Sequence, residues 1–116
     1  MDAIVALIQG IYFFLTGVWP LVSMGTFLAV TGPKTDLWLV KTVGLILAVI
    51  GAVLIYAQWT AAVNPPVIFL AVGAAASLAL VEIVYVLKKV ISPIYLGDAV
   101  VELILIAWWA ISLSVA

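Results

Sequence analysis

Apolar residues fill four long stretches of this chain, and short clusters of Gly, Pro, Asn, Ser and charged residues separate them. A helix rises about 1.5 Å per residue, so about 20 apolar residues are needed to cross a hydrocarbon layer about 30 Å thick. The pattern predicts spans at about residues 3–20, 37–59, 66–89 and 95–115. Residues 21–32, with Ser23, Gly25 and Thr26, are mildly apolar and too short to span; they read as an interfacial helix or a re-entrant piece. Pro20 closes the first span in this reading. The turn over 31–36 offers Thr35 and Asp36 as candidate N-caps. Asn64-Pro65-Pro66 opens the third span with prolines in its first turn, where the missing N–H costs nothing, and Ser92-Pro93 separates the third from the fourth.

Short connections make consecutive spans antiparallel. The expected fold class is therefore all-α: one transmembrane domain over 1–116, an integral membrane four-helix up-down-up-down bundle with a short interfacial helix between spans one and two. No repeat of 20 to 50 residues and no inverted copy of one half in the other is visible.

Composition agrees with that solvent. The chain is 69% hydrophobic and 8% charged over 116 residues, more apolar surface than a soluble core of this size hides. Four lysines stand against five acids, neither a nucleic-acid footprint nor an acidic tail, so nucleic acid is not an expected partner. The absence of Cys and His removes disulfides, thiol nucleophiles, Fe–S ligation, and histidine-ligated haem or zinc. No metal site and no cofactor are expected. Met1-Asp2-Ala3 supplies no basic region before its apolar run, so the first span is not read as a cleaved signal peptide.

Lys34, Lys41, Lys88 and Lys89 fall on one membrane side under this alternation, and none falls on the other. The positive-inside rule then puts the lysines in the cytoplasm and both termini outside, in the periplasm of a bacterial cell. Discounting Lys41 as part of a buried pair leaves a three-to-zero bias. Small four-span antiporters and fluoride channels that insert both ways keep their loops nearly balanced, unlike this chain. The small multidrug family also requires a glutamate in span one, where Gln9 and Thr16 stand.

Charges inside lipid cost about 2.5 to 3.5 kcal/mol each on insertion scales, so those retained face the bundle interior and pair. Lys41 lies about one turn into span two, Glu82 about two turns from the end of span three, and Asp98 and Glu102 at the start of span four. Helical steps put Lys41 on one face with Gly44, Ala48 and Ala52, and Glu82 with Ala71, Ala75 and Ala79. Small residues mark close helix approach in membranes, so both charges should point at neighbouring helices. Gln9, Tyr12, Thr16 and Trp19 form a stripe on span one. The candidate site is a polar cavity opening to the lysine side, lined by Tyr12, Thr16, Lys41, Glu82, Tyr85, Asp98 and Glu102. It suits a small polar headgroup, a cation or a proton, and its excess of carboxylates is a condition for a proton relay or acid. The bland alternative is that Lys41 ties Glu82 or Glu102 to hold helix register while Asp98 caps span four. Trp19, Trp38 and Trp59 read as interfacial anchors. Of Trp108 and Trp109, one should meet lipid and the other the bundle.

The run from Val30 to Gly44 around Gly32-Pro33-Lys34, with Ile91-Ser92-Pro93 through Asp98 to Glu102, resembles small bacterial four-span membrane proteins without an assigned activity. In layout the chain is also similar to the DoxX-like class. The resemblance implies a bacterial inner-membrane protein with Lys41 opening span two and Asp98 and Glu102 opening span four; it transfers no catalytic residue. The function expected first is binding of a small amphiphile or lipid, or docking of a membrane partner subunit, by a non-enzymatic protein. A proton-coupled transporter or ion pathway formed by a homo-oligomer is the second expectation. The third is an intramembrane acid–base enzyme of the isomerase kind, with Glu82 or Glu102 as proton donor.

Overall fold

The computed structural model describes residues 2–115 and is all-helical. Its five helices are α1 (Asp2–Val22), α2 (Met24–Thr31), α3 (Leu37–Trp59), α4 (Pro65–Leu87) and α5 (Tyr95–Val115). All but α2 are long and apolar enough to cross a membrane; at 21 to 23 residues they reach about 31 to 35 Å. Their outer faces carry exposed Ile, Leu, Val and Phe side chains, the surface expected of an integral membrane protein solvated by lipid.

Pro20 does not end α1. The helix runs two residues past it, and Ser23 makes the break to α2. Pro20 is buried instead, against Gly44 of α3. The ends of α3 and α4 share another device. Ala61 (φ 55°) and Lys89 (φ 60°) adopt left-handed conformations. Beyond each, the chain folds back so that Ala62 N–H donates to the Ala57 carbonyl at 2.8 Å and Val90 N–H to the Tyr85 carbonyl at 2.9 Å. This Schellman arrangement satisfies terminal carbonyls and stops α4 two residues before the expected 89. At the start of α4, the Asn64 side chain accepts from Val67 N–H at 3.2 Å. Asp36 precedes α3 without making a side-chain cap bond.

Two antiparallel pairs build the bundle: α1 on α3, and α4 on α5. The first pair is set by glycines seven apart on each helix, Gly10 and Gly17 facing Gly51 and Gly44. A Cβ at Gly51 would lie 2.5 Å from the Gly10 carbonyl oxygen, and one at Gly44 would lie 2.6 Å from that of Gly17. Backbones therefore touch, the packing small residues permit in membranes. The α4–α5 pair meets the first pair through α5 on α1 and, nearly as closely, through α4 on α3.

Gln9 makes that junction. Wholly buried, it donates from Nε2 to the Ala71 carbonyl of α4 at 2.8 Å and accepts from Trp109 Nε1 of α5 at 2.7 Å. Around it Val5, Ala6, Leu54, Ala71 and Trp109 form an apolar core. At the far end the Ser112 hydroxyl donates to Asp2, again joining α5 to α1.

Candidate functional site

A cavity of about 420 Å³ opens in the bundle, bounded by all five helices and lined by Tyr12, Thr16, Glu82, Asp98 and Glu102 among others. Five of the seven residues expected from sequence thus come together. Each arrives by helical spacing. On α4 the buried stripe Ala71, Ala75, Ala79 ends in Glu82; on α5 the stripe Ala99, Glu102, Leu105, Trp109 buries Glu102 completely, with Asp98 one turn earlier on the same side. Tyr12 lies one turn from Gln9 on α1, and Thr16 one turn further.

Tyr12 donates its hydroxyl to Asp98, and the Thr16 hydroxyl turns back to the Tyr12 carbonyl. These bonds leave the deeper carboxyl groups alone. Oε1 of Glu82 and both oxygens of Glu102 are buried with no hydrogen-bond partner among the described residues. Buried polar atoms are ordinarily partnered, and an orphaned carboxyl oxygen is costly. Three such oxygens in one cavity are an unmet demand for donors.

Lys41 does not meet that demand. It is exposed and does not line the cavity, which removes it both from the site and from the expected ion pair. The buried stripe of α3 begins at Gly44, where Pro20 of α1 touches it, and Lys41, about one turn earlier, lies outside it. The buried face of α3 also continues from Ala48 to Gly51 and Leu54, leaving Ala52 exposed. Tyr85 is a second departure. It is 41% exposed, off the cavity, with the Lys88 ammonium 5.7 Å from its ring centre.

The cation at this site is Lys34. Its Nζ donates to Thr31 Oγ1 at 2.8 Å, to the Gly32 carbonyl at 3.2 Å and to the Thr31 carbonyl at 3.4 Å. It also sits 5.2 Å from the ring centres of both Phe27 and Tyr95, where aromatic faces attract a cation. The spacing of Lys34 three residues after Thr31, and of Tyr95 one turn before Asp98, was the available signal for this pair.

α2 turns out to be a wall of the site as well as a connector. Phe27, Val30 and Thr31 face the cavity. Trp19 faces it too, rather than serving only as an anchor; it packs edge-on to Phe27 with ring centres 5.3 Å apart and donates to Thr26 Oγ1 at 3.0 Å. Trp38 and Trp59, by contrast, are exposed at 68% and 83%, as interfacial anchors are. Leu39, Val40, Val43 and Leu47 of α3 and Leu78 of α4 complete an apolar wall around the acidic floor. Among the described residues, no group of three or more Asp, Glu, His or Cys side chains is disposed to hold a metal ion.

No family model, curated protein or solved structure matches this chain.

Proposed function

We infer that this protein binds a small amphiphile inside the bilayer, in the cavity between α2 and the four spanning helices. The observation that carries this reading is one cavity with two chemistries: apolar walls from α2, α3 and α4, and a floor where Glu82 and Glu102 oxygens lack partners. Its volume of about 420 Å³ lies in the range of small-molecule sites, about 300–1,000 Å³. An occupant with a polar head and an apolar body fits both parts.

The distribution of lysines supports a cytoplasmic position for the cavity end and an outward position for both termini. Likeness to small bacterial four-span and DoxX-like proteins favours the bacterial inner membrane. Clustering of Glu82, Asp98 and Glu102 favours a second reading, a proton pathway. The apolar core at Leu54, Ala71 and Trp109 stands in the way of a path through one copy, so that reading requires a homo-oligomer.

Native mass spectrometry of protein released gently from membranes tests the first reading. Wild type should retain a small lipid-like mass that the cavity-filling variant Leu78→Trp, equally folded, does not. A wild-type protein that retains nothing and takes up no added amphiphile would overturn it.

A further inference from the structure

We propose that the bound amphiphile carries a primary ammonium head, seated on Glu102 with Glu82 and Asp98 beside it, and a short apolar body; this rests on the binding function inferred above. The orphaned acceptors set the chemistry. Oε1 of Glu82 and Oε1 and Oε2 of Glu102 are three buried oxygens without donors, and Glu102 is 0% exposed while Glu82 is 6% exposed. A primary ammonium has three N–H donors and no acceptor. Hydrogen bonds from a charged donor are the stronger kind.

The cavity's charge points the same way. Three carboxyl groups line it, and its one cation, Lys34, is held at the mouth by carbonyls, a hydroxyl and two rings, with no carboxylate among those partners. The entrance thus already binds an ammonium, the chain's own, with oxygens and aromatic faces. An anionic head brings only further acceptors to a floor that already lacks donors, and a hydroxyl head supplies one donor where three acceptors wait. A bare metal ion finds no ligand group of the required kind among the described residues, whereas the apolar wall from Val40 to Leu47 and from Phe27 suits a hydrocarbon body.

The test compares three probes with one tail, octylammonium, 1-octanol and octanoate, titrated calorimetrically into the protein in phosphatidylcholine nanodiscs, with empty nanodiscs subtracted. Octylammonium should bind about tenfold more tightly than octanol or better, and octanoate most weakly. Glu102→Gln should abolish that preference while Lys41→Met keeps it; Glu82→Gln on the same floor serves if Glu102→Gln does not assemble. Octanol binding as tightly as octylammonium, octanoate binding best, or a preference unchanged in both floor variants would overturn the ammonium assignment and leave an amphiphile site standing. Binding of none of the probes would overturn both.

Discussion

Trp109 Nε1 donates to Gln9 Oε1 at 2.7 Å across 100 positions of sequence, and the amide of the same Gln9 donates to the Ala71 carbonyl. Only one orientation of the glutamine amide satisfies both bonds. Three helices are thereby fixed at one point, about one turn below Phe13 in the cavity wall. This point lies between the apolar core of Val5, Leu54 and Trp109 and the cavity that holds the carboxyl groups.

Gln9→Leu should therefore lower stability, by about 1 to 2 kcal/mol, because it strands the buried Trp109 N–H. Adding Trp109→Phe should recover part of the loss by removing the orphaned donor. Unfolding of both variants in mixed micelles measures this; a double variant no better than the single one would show that the lost glutamine packing, not the hydrogen bond, is what matters.

The glycines of α1 and α3 should not tolerate a methyl group. Gly51→Ala places a carbon 2.5 Å from the Gly10 carbonyl oxygen and the Phe14 nitrogen, and overpacking of this kind costs about 1 to 3 kcal/mol. Gly73→Ala on α4 meets nothing within 4 Å and should be neutral or slightly stabilising. In the same detergent Gly51→Ala should melt well below wild type and Gly73→Ala at or slightly above it.

Ala61 holds a left-handed conformation at φ 55°, which an L-residue enters at a cost of about 1 to 2 kcal/mol. Ala61→Gly should accordingly raise stability by about 1 kcal/mol, despite the greater entropy of glycine in the unfolded chain. Chemical unfolding would show it; a fall in stability would mean that this turn is not left-handed in the membrane.

Lys41→Met should leave folding within about 0.5 kcal/mol of wild type, as exposed positions do, and leave amphiphile binding unchanged. Lys34→Met should act on the cavity: removing the positive charge at its mouth should tighten octylammonium two- to threefold, by the repulsion between like charges near a partly buried site. Calorimetry on the two variants separates these outcomes. A loss of affinity in Lys41→Met would return that lysine to the site.

Orientation is open to a direct measurement because the chain has no cysteine of its own. Thr35→Cys, on the lysine side, should be protected from a membrane-impermeant maleimide in intact cells, and Ser114→Cys, at the other end, should react. The reverse pattern would put the cavity mouth outside.

Much of the architecture was legible along the chain. Runs of about 20 apolar residues admit only helices in lipid, and α3 and α5 occupy the segments that pattern predicts, 37–59 and 95–115. Helical spacing was also enough to bring Glu82, Asp98 and Glu102 to one side of the bundle, since Ala71, Ala75 and Ala79 fix the face of α4. It was not enough for Lys41. Periodicity gives the direction of a side chain about its own axis, but whether anything stands in that direction depends on where a neighbouring helix ends.

The tertiary structure decided three matters for that reason. It set Pro20 inside α1 against Gly44, where the buried stripe of α3 begins, and left Lys41 outside that stripe. It folded the 31–36 turn back so that Lys34, rather than Lys41, became the cavity's cation between Phe27 and Tyr95. It paired Gln9 with Trp109 and so closed the floor beneath the carboxyl groups. The sequence by itself determined the solvent, the number of spans and the faces of the helices, because these follow from local hydrophobicity and a fixed helical period. Which charges share a cavity follows from contacts between residues far apart in the chain, and only the packed bundle supplies them.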